Sequence, residues 1–310
     1  MSRFALWVIA IMLGAGATSC FTGIESTPRI STDDLRRSGV KETPEQAFAS
    51  LLEGDSPAEW APGKQWLVSE DKISIIFSGS PAGADSLAGS ILRLQGISQA
   101  KTLTGAEVVE LQLLTPDNNL LVYRTDVPAD EWKSRKSFNI PFTVELAPVM
   151  RADSLLRGKE LYITTPLWYD ENGHRINGLR HIPVTVSSVK AGTANYPLQV
   201  CFTAAEDDAP VRCVYMTYGN SPSSNRNFDK LFRFDNPRLG YPDISDRTWG
   251  LIIRSQLAEG MSRDEARLAL GSPASIDRGA TRGSLQIERW SYDNGVYLIF
   301  EEGVLIRFRK

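Results

Sequence analysis

Only three cysteines and two histidines occur among the 310 residues. So few thiol and imidazole ligands leave little basis for a zinc or iron–sulfur centre, and no histidine stands within ligand spacing of Cys201 or Cys213. No metal and no cofactor is expected. Charge of one sign is lacking as well: a net charge of -3 and a pI near 5.6 give no electrostatic footprint for nucleic acid. Past the N-terminus, no apolar run approaches the roughly 20 residues of a membrane-spanning helix. Catalytic signatures are missing too, with no G-x-S-x-G elbow, no S-x-x-K set and no H-E-x-x-H. His174 and His181 fall in "DENGHRINGLRHIPV", where the first reads as an exposed turn residue and the second as a strand-edge residue. A non-catalytic protein is the expectation, with an envelope hydrolase the weakest alternative.

What is present begins with Arg3 and an apolar run from Phe4 to Ala17, broken only by Gly14 and Gly16. At about fourteen residues it fits a secretory h-region better than a membrane span. The stretch "IMLGAGATSCFTG" then narrows through small residues to Thr18-Ser19-Cys20. This resembles the lipobox of bacterial lipoproteins, and it implies a signal peptide over 1–19 and a lipid attached at Cys20. An uncleaved anchor or a buried strand is the alternative. The polar "ESTPRISTDDLRRSGVKETP" reads as a tether, placed at 20–42. The resemblance implies a lipid-anchored chain of the bacterial envelope, and the expected location is the outer membrane, facing the periplasm.

An exported chain is oxidised, so Cys201 and Cys213 need a reading of their own. In "LQVCFTAAEDDAPVRCVYM" two strand-like runs flank an acidic loop, and folding about Asp207 sets the cysteines opposite each other. They form either a disulfide or two buried thiols.

The hydrophobic content of 42% and charged content of 23% are ordinary for a globular protein, and 310 residues suffice for several domains. In "TPEQAFASLLEG", Thr43, Pro44, Gln46 and Gly54 carry the start and stop signals of a short helix. From Trp60 to about Tyr218, short β-rich runs are separated by turn residues. "GKQWLV" from Gly63 and "GKELYI" from Gly158 are followed 59 and 56 residues later by "VYRT" and "VYMT". That order predicts an internal duplication, with two barrel-like units similar to SH3-like barrels at 43–130 and 131–218. "GNSPSSNRN" opens a linker assigned to 219–245. Trp168 and Tyr169, beside a turn, form either core or a surface on which a glycan stacks.

In "EGMSRDEARLALGSP", Ser262 caps a helix, Glu265 closes the capping box, Met261 staples onto Ala266, Gly271 ends the helix and Pro273 prevents its continuation. A helical run containing Trp249 precedes it, and three alternating strands follow. Gly260, Met261, Ser262, Glu265, Leu270, Gly271 and Pro273, with the later Trp290, Tyr292, Phe300, Glu302 and Gly303, resemble the BamE (SmpA/OmlA) family of outer-membrane lipoproteins. The likeness covers 246–310 and implies a two-helix, three-stranded antiparallel α+β module that helps insert β-barrels. Most of these residues also serve turns, caps or core. The expected whole is a multidomain, mainly β protein: tandem SH3-like units, then a BamE-like module. Its expected partners are the membrane, through the lipid, and envelope proteins or cell-wall glycan.

Overall fold

Helix ends follow the local chemistry of the chain. In the computed structural model, which describes residues 41–78, 86–204, 209–279 and 286–309, α1 (Pro44–Ser50) opens with a reciprocal cap. The Thr43 hydroxyl accepts from the Gln46 N–H at 3.2 Å, and the Gln46 carboxamide oxygen accepts from the Thr43 N–H at 3.1 Å. The other helices are α2 (Leu146–Leu156), α3 (Phe228–Leu231), α4 (Asp246–Ile253) and α5 (Arg263–Leu270). At the start of α5, Ser262 and Glu265 repeat the reciprocal cap at 3.2 and 2.7 Å. Gly271 then turns the chain with a φ of 89°, a region that suits glycine. No helix among the described residues is long and apolar enough to cross a membrane.

The strands form three antiparallel sheets, none closed into a barrel. The first joins β1 (Gln65–Val68), β2 (Phe77–Ser78), β3 (Ile91–Lys101), β4 (Glu107–Leu114), β5 (Leu120–Pro128) and β6 (Thr143–Glu145) in the order β2-β5-β4-β3-β1-β6. The second contains β7 (Glu160–Ile163), β8 (Leu167–Tyr169), β9 (Arg175–Asn177), β10 (Ile182–Ala191), β11 (Leu198–Ala204), β12 (Arg212–Met216) and β13 (Phe232–Arg233), ordered β13-β7-β10-β11-β12-β8-β9. The third runs β14 (Ser275–Arg278), β15 (Ile287–Ser291), β16 (Tyr297–Glu301), β17 (Val304–Arg309) in sequence. A mainly β protein is therefore found, but the expected barrels are open sheets.

The first two sheets share a plan. Strands β1, β3, β4, β5 and β2 of one occupy the same relative order as β7, β10, β11, β12 and β8 of the other. The repeated Gly-Lys pairs sit at matching points. The N–H of Gly63 donates to the Leu94 carbonyl at 2.8 Å, and that of Gly158 to the Val186 carbonyl at 2.8 Å; the N–H groups of Leu94 and Val186 return bonds to Lys64 and Lys159 at 2.8 and 3.0 Å. Beside each, the ladder slips by one residue, at Leu94/Gly96 and at Val186/Ser188. Both glycines have positive φ, 94° and 77°. A shared strand order, shared hydrogen bonds and a shared bulge support the duplication read from the short motifs.

Packing crosses the expected boundaries. Three apolar clusters underlie the three sheets. The side chains of α1 join the second cluster, with Phe48 4.6 Å from Phe228 and 5.5 Å from Phe234, ring centre to ring centre. Trp132 and Ile140, beyond position 130, complete the first cluster beneath Trp60 and Trp66. Residues 219–245, expected as a linker, contain α3 and β13, which add a helix and an edge strand to the second sheet. Near the first two sheets, Lys64 is enclosed by the Trp60 and Trp66 rings, 5.6 and 5.8 Å from its Nζ, and pairs with Glu145 and, at 2.6 Å, with Asp55. The third sheet has four strands instead of three. β14 is exposed at every position and so carries no alternating pattern to announce it.

Cys201 and Cys213 are register partners on β11 and β12 and form a disulfide. Closing a loop with a sequence separation of 12 should stabilise the fold by about 3 kcal/mol. Urea titration of the Cys201→Ser/Cys213→Ser double variant should show this loss, and an unchanged midpoint would refute it.

Candidate functional site

The C-terminal module is fastened to the second sheet by two consecutive residues that precede β10. The backbone N–H of Arg180 donates to the Ile253 carbonyl at 3.0 Å, at the end of α4. Its Nη1 donates to the carbonyls of Leu268 and Ala269 at 3.0 and 2.7 Å, at the end of α5. The last carbonyls of a helix have no partners within it and carry its negative dipole end, so a guanidinium there both satisfies and neutralises them. His181 Nε2 lies 3.1 Å from the Leu268 oxygen, and its ring is 5.7 Å from that of Trp249. Because a carbonyl only accepts, Nε2 carries the hydrogen and Nδ1 is a lone-pair acceptor. His181 has a φ of 58°, held by this joint.

Beside the joint lies a groove of about 800 Å³, within the size range of small-molecule sites. Its walls come from Glu45 and Thr164, from residues within 229–241, from the end of α5 and from Arg180 and His181. Burial lowers the Arg180 pKa to about 10. His181 is lowered to about 4, first by burial and then by the nearby charges of Arg180 and Arg233, despite its bond to Leu268, so it is neutral at pH 7. Three buried polar atoms of the lining have no hydrogen-bond partner: Arg180 Nε, His181 Nδ1 and Asp229 Oδ1. Buried polar atoms are normally paired, which makes three in one groove notable. Among the described residues no group of three or more His, Cys, Asp and Glu is placed to hold a metal.

The residues singled out by sequence are scattered. Cys20, the expected lipid-attachment site, lies outside the described residues. Trp168 is only 7% exposed, its Nε1 donating to the Thr165 carbonyl at 2.9 Å and its ring edge-on to Phe202 at 5.2 Å. Tyr169 is half-buried against Tyr215 at 4.9 Å and accepts from Arg226 at 3.0 Å. The two aromatics therefore do not form an open stacking surface, and that reading is corrected. Gly178 covers Trp168 so closely that a Cβ there would come within 2.0 Å of the indole. Gly178→Ala should cost about 1–3 kcal/mol in denaturant titrations, and wild-type stability would show that the ring can move aside.

The motif of the C-terminal module is mostly structural. Met261 and Trp290 are buried, Ser262 and Glu265 cap α5, Gly260 and Gly271 turn the chain at φ 93° and 89°, and the Tyr292 hydroxyl donates to the Gly271 carbonyl at 3.1 Å. Pro273 stands between α5 and β14. Strand register places Trp290, Leu298 and Phe308 on the helix side, and it places Asp277, Arg289, Ile299 and Arg307 in one row on the outer side. The neighbouring outer row is Ser275, Ser291, Tyr297 and Arg309, with the Arg289 guanidinium 5.2 Å from the Tyr297 ring centre.

Sequence reading missed Arg180, Asp229 and Arg233, and it placed His181 only at a strand edge. Arg180 stands in a short polar stretch, and its side-chain partners lie 88 and 89 residues away, so no local pattern marks it. No protein family, characterised protein or solved structure matches this chain.

Proposed function

We propose that the chain is a non-catalytic, lipid-anchored protein of the bacterial cell envelope, held at the outer membrane and facing the periplasm, that binds or scaffolds other envelope proteins. Its C-terminal part acts as a BamE-like module, in outer-membrane assembly or maintenance. The observation that carries this reading is the outer face of the C-terminal sheet. Arg289, Arg307 and Arg309 stand there around Tyr297 and Ile299, while the helix side is filled by the module's own core. Arginine and tyrosine in one patch suit protein recognition. The lipobox-like N-terminus and the Gly260-to-Pro273 motif support the location and the module. The fourth strand is a departure from the family pattern.

A photo-reactive residue in place of Arg307, with a control in place of the exposed Ile75 in the first unit, tests this in cells. Envelope proteins cross-linked from position 307 and not from 75 are expected. Equal or absent adducts from the two positions would overturn the scaffold reading. A second reading, binding of cell-wall glycan, loses the Trp168 and Tyr169 surface but gains the groove beside Arg180.

A further inference from the structure

We propose that the groove beside Arg180 is a binding site for a small polyhydroxylated anion, a sugar acid or sugar phosphate. The chemistry of the lining sets this class. Arg180 and Arg233 form no ion pair among the described residues. Arg180 spends Nη1 on helix carbonyls, and Arg233 donates to the carbonyls of Asp229 and Phe232. Both arginines line the same groove as His181. Four cations, Arg180, Lys230, Arg233 and Arg267, line the groove against three carboxylates, Glu45, Asp229 and Asp235, and this surplus favours an anion, because charge-assisted hydrogen bonds are the strong ones in a partly enclosed site.

A bare anion would leave half the site unused. His181 Nδ1 and Asp229 Oδ1 are acceptors without donors, and Asp229, 6% exposed, uses its other oxygen on Lys230 at 3.0 Å. Acceptors beside cations call for a ligand that carries hydroxyl hydrogens next to its anionic group. The half-open ring of Tyr241, 38% exposed at the groove wall, adds a flat surface for a sugar face. The site lies on a different face from the outer rows of the C-terminal sheet, so its failure and that of the scaffold reading can be told apart.

Calorimetric titration of the full-length lipidated chain in detergent tests the site, with glucuronate, glucose 6-phosphate, glucose, acetate, inorganic phosphate and a short acidic peptide as probes. Glucuronate or glucose 6-phosphate should bind at least about tenfold more tightly than glucose, acetate or phosphate, since each charge-assisted hydrogen bond lost costs a factor of this order. Arg233→Gln should weaken that binding by a similar factor, with a melting profile recorded alongside to show that losing its bonds to the Asp229 and Phe232 carbonyls has not unfolded the site. Arg180→Gln also removes a helix cap, so Arg233 is the decisive position. The proposal is overturned if neither sugar anion binds, if phosphate or acetate binds as well as they do, if the acidic peptide alone binds, or if Arg233→Gln binds unchanged.

Discussion

Replacing Lys64 by methionine should destabilise the protein by about 3–5 kcal/mol, the loss expected when one member of a buried ion cluster is removed and the rest stay charged. Lys64 is 8% exposed in its side chain and stands between Asp55 and Glu145, the latter 5% exposed. Burial holds the Glu145 carboxyl above the usual carboxylate range even with Lys64 beside it. Without the ammonium, Glu145 would bind its proton still more tightly in the folded state. An acid with a raised folded pKa contributes stability while protonated and loses it as pH rises through that pKa. Lys64→Met should therefore be most stable at mildly acidic pH and weakest at neutral pH. Adding Glu145→Leu should recover most of the loss. Denaturant titrations of both variants across pH would contradict this account if Lys64→Met matched wild type, or if the second substitution recovered nothing.

Trp290→Ala should cost a similar amount, about 3–5 kcal/mol, through the cavity left in the third cluster. The indole is fully buried, 4.6 Å from the Phe300 ring, with the Arg267 guanidinium 4.8 Å above it and its Nε1 donating to Glu288 at 3.2 Å. Glu288 also pairs with Arg263 at 3.0 Å, so the substitution strips a hydrogen bond from a buried carboxylate that helps hold α5 to the sheet. The damage should stay local. Limited proteolysis should cut within 246–309 first and leave the two larger sheets protected. Uniform cleavage, or unchanged resistance, would show that the three clusters do not unfold as separate units.

Features written within a few residues were legible. The caps at Thr43 and Ser262 and the turn at Gly271 need only neighbours, and the register that sets Cys201 opposite Cys213 follows from two paired strands, although the sequence left the bond itself open. The duplicated Gly-Lys pairs could also be read, because a bulge with its hydrogen bonds repeats along the chain. What was missed depends on distant partners. β14 has no buried face of its own, and α3 with β13 hides in a polar stretch because only two short strand residues pair with β7. Trp168 next to a turn gave no sign that Gly178 would close over it. Of the groove, the sequence offered two unremarkable residues before a strand. Arg180 becomes a helix cap, and His181 a buried acceptor, only once Leu268 and Ala269 are brought against them.

The placement of α1 determines where a pull on the N-terminus is felt. Phe48 packs on Phe228 and Phe234, Asn220 donates to the Gln46 carbonyl at 2.8 Å and to Ser50 at 3.1 Å, and Glu45 accepts from the Phe234 N–H at 3.2 Å. Tension arriving before α1 thus enters the seven-stranded sheet first and passes through Arg180 to the C-terminal module. The six-stranded sheet, although next in sequence, joins the same apolar cluster through Leu67 and Val144 and so shares that load.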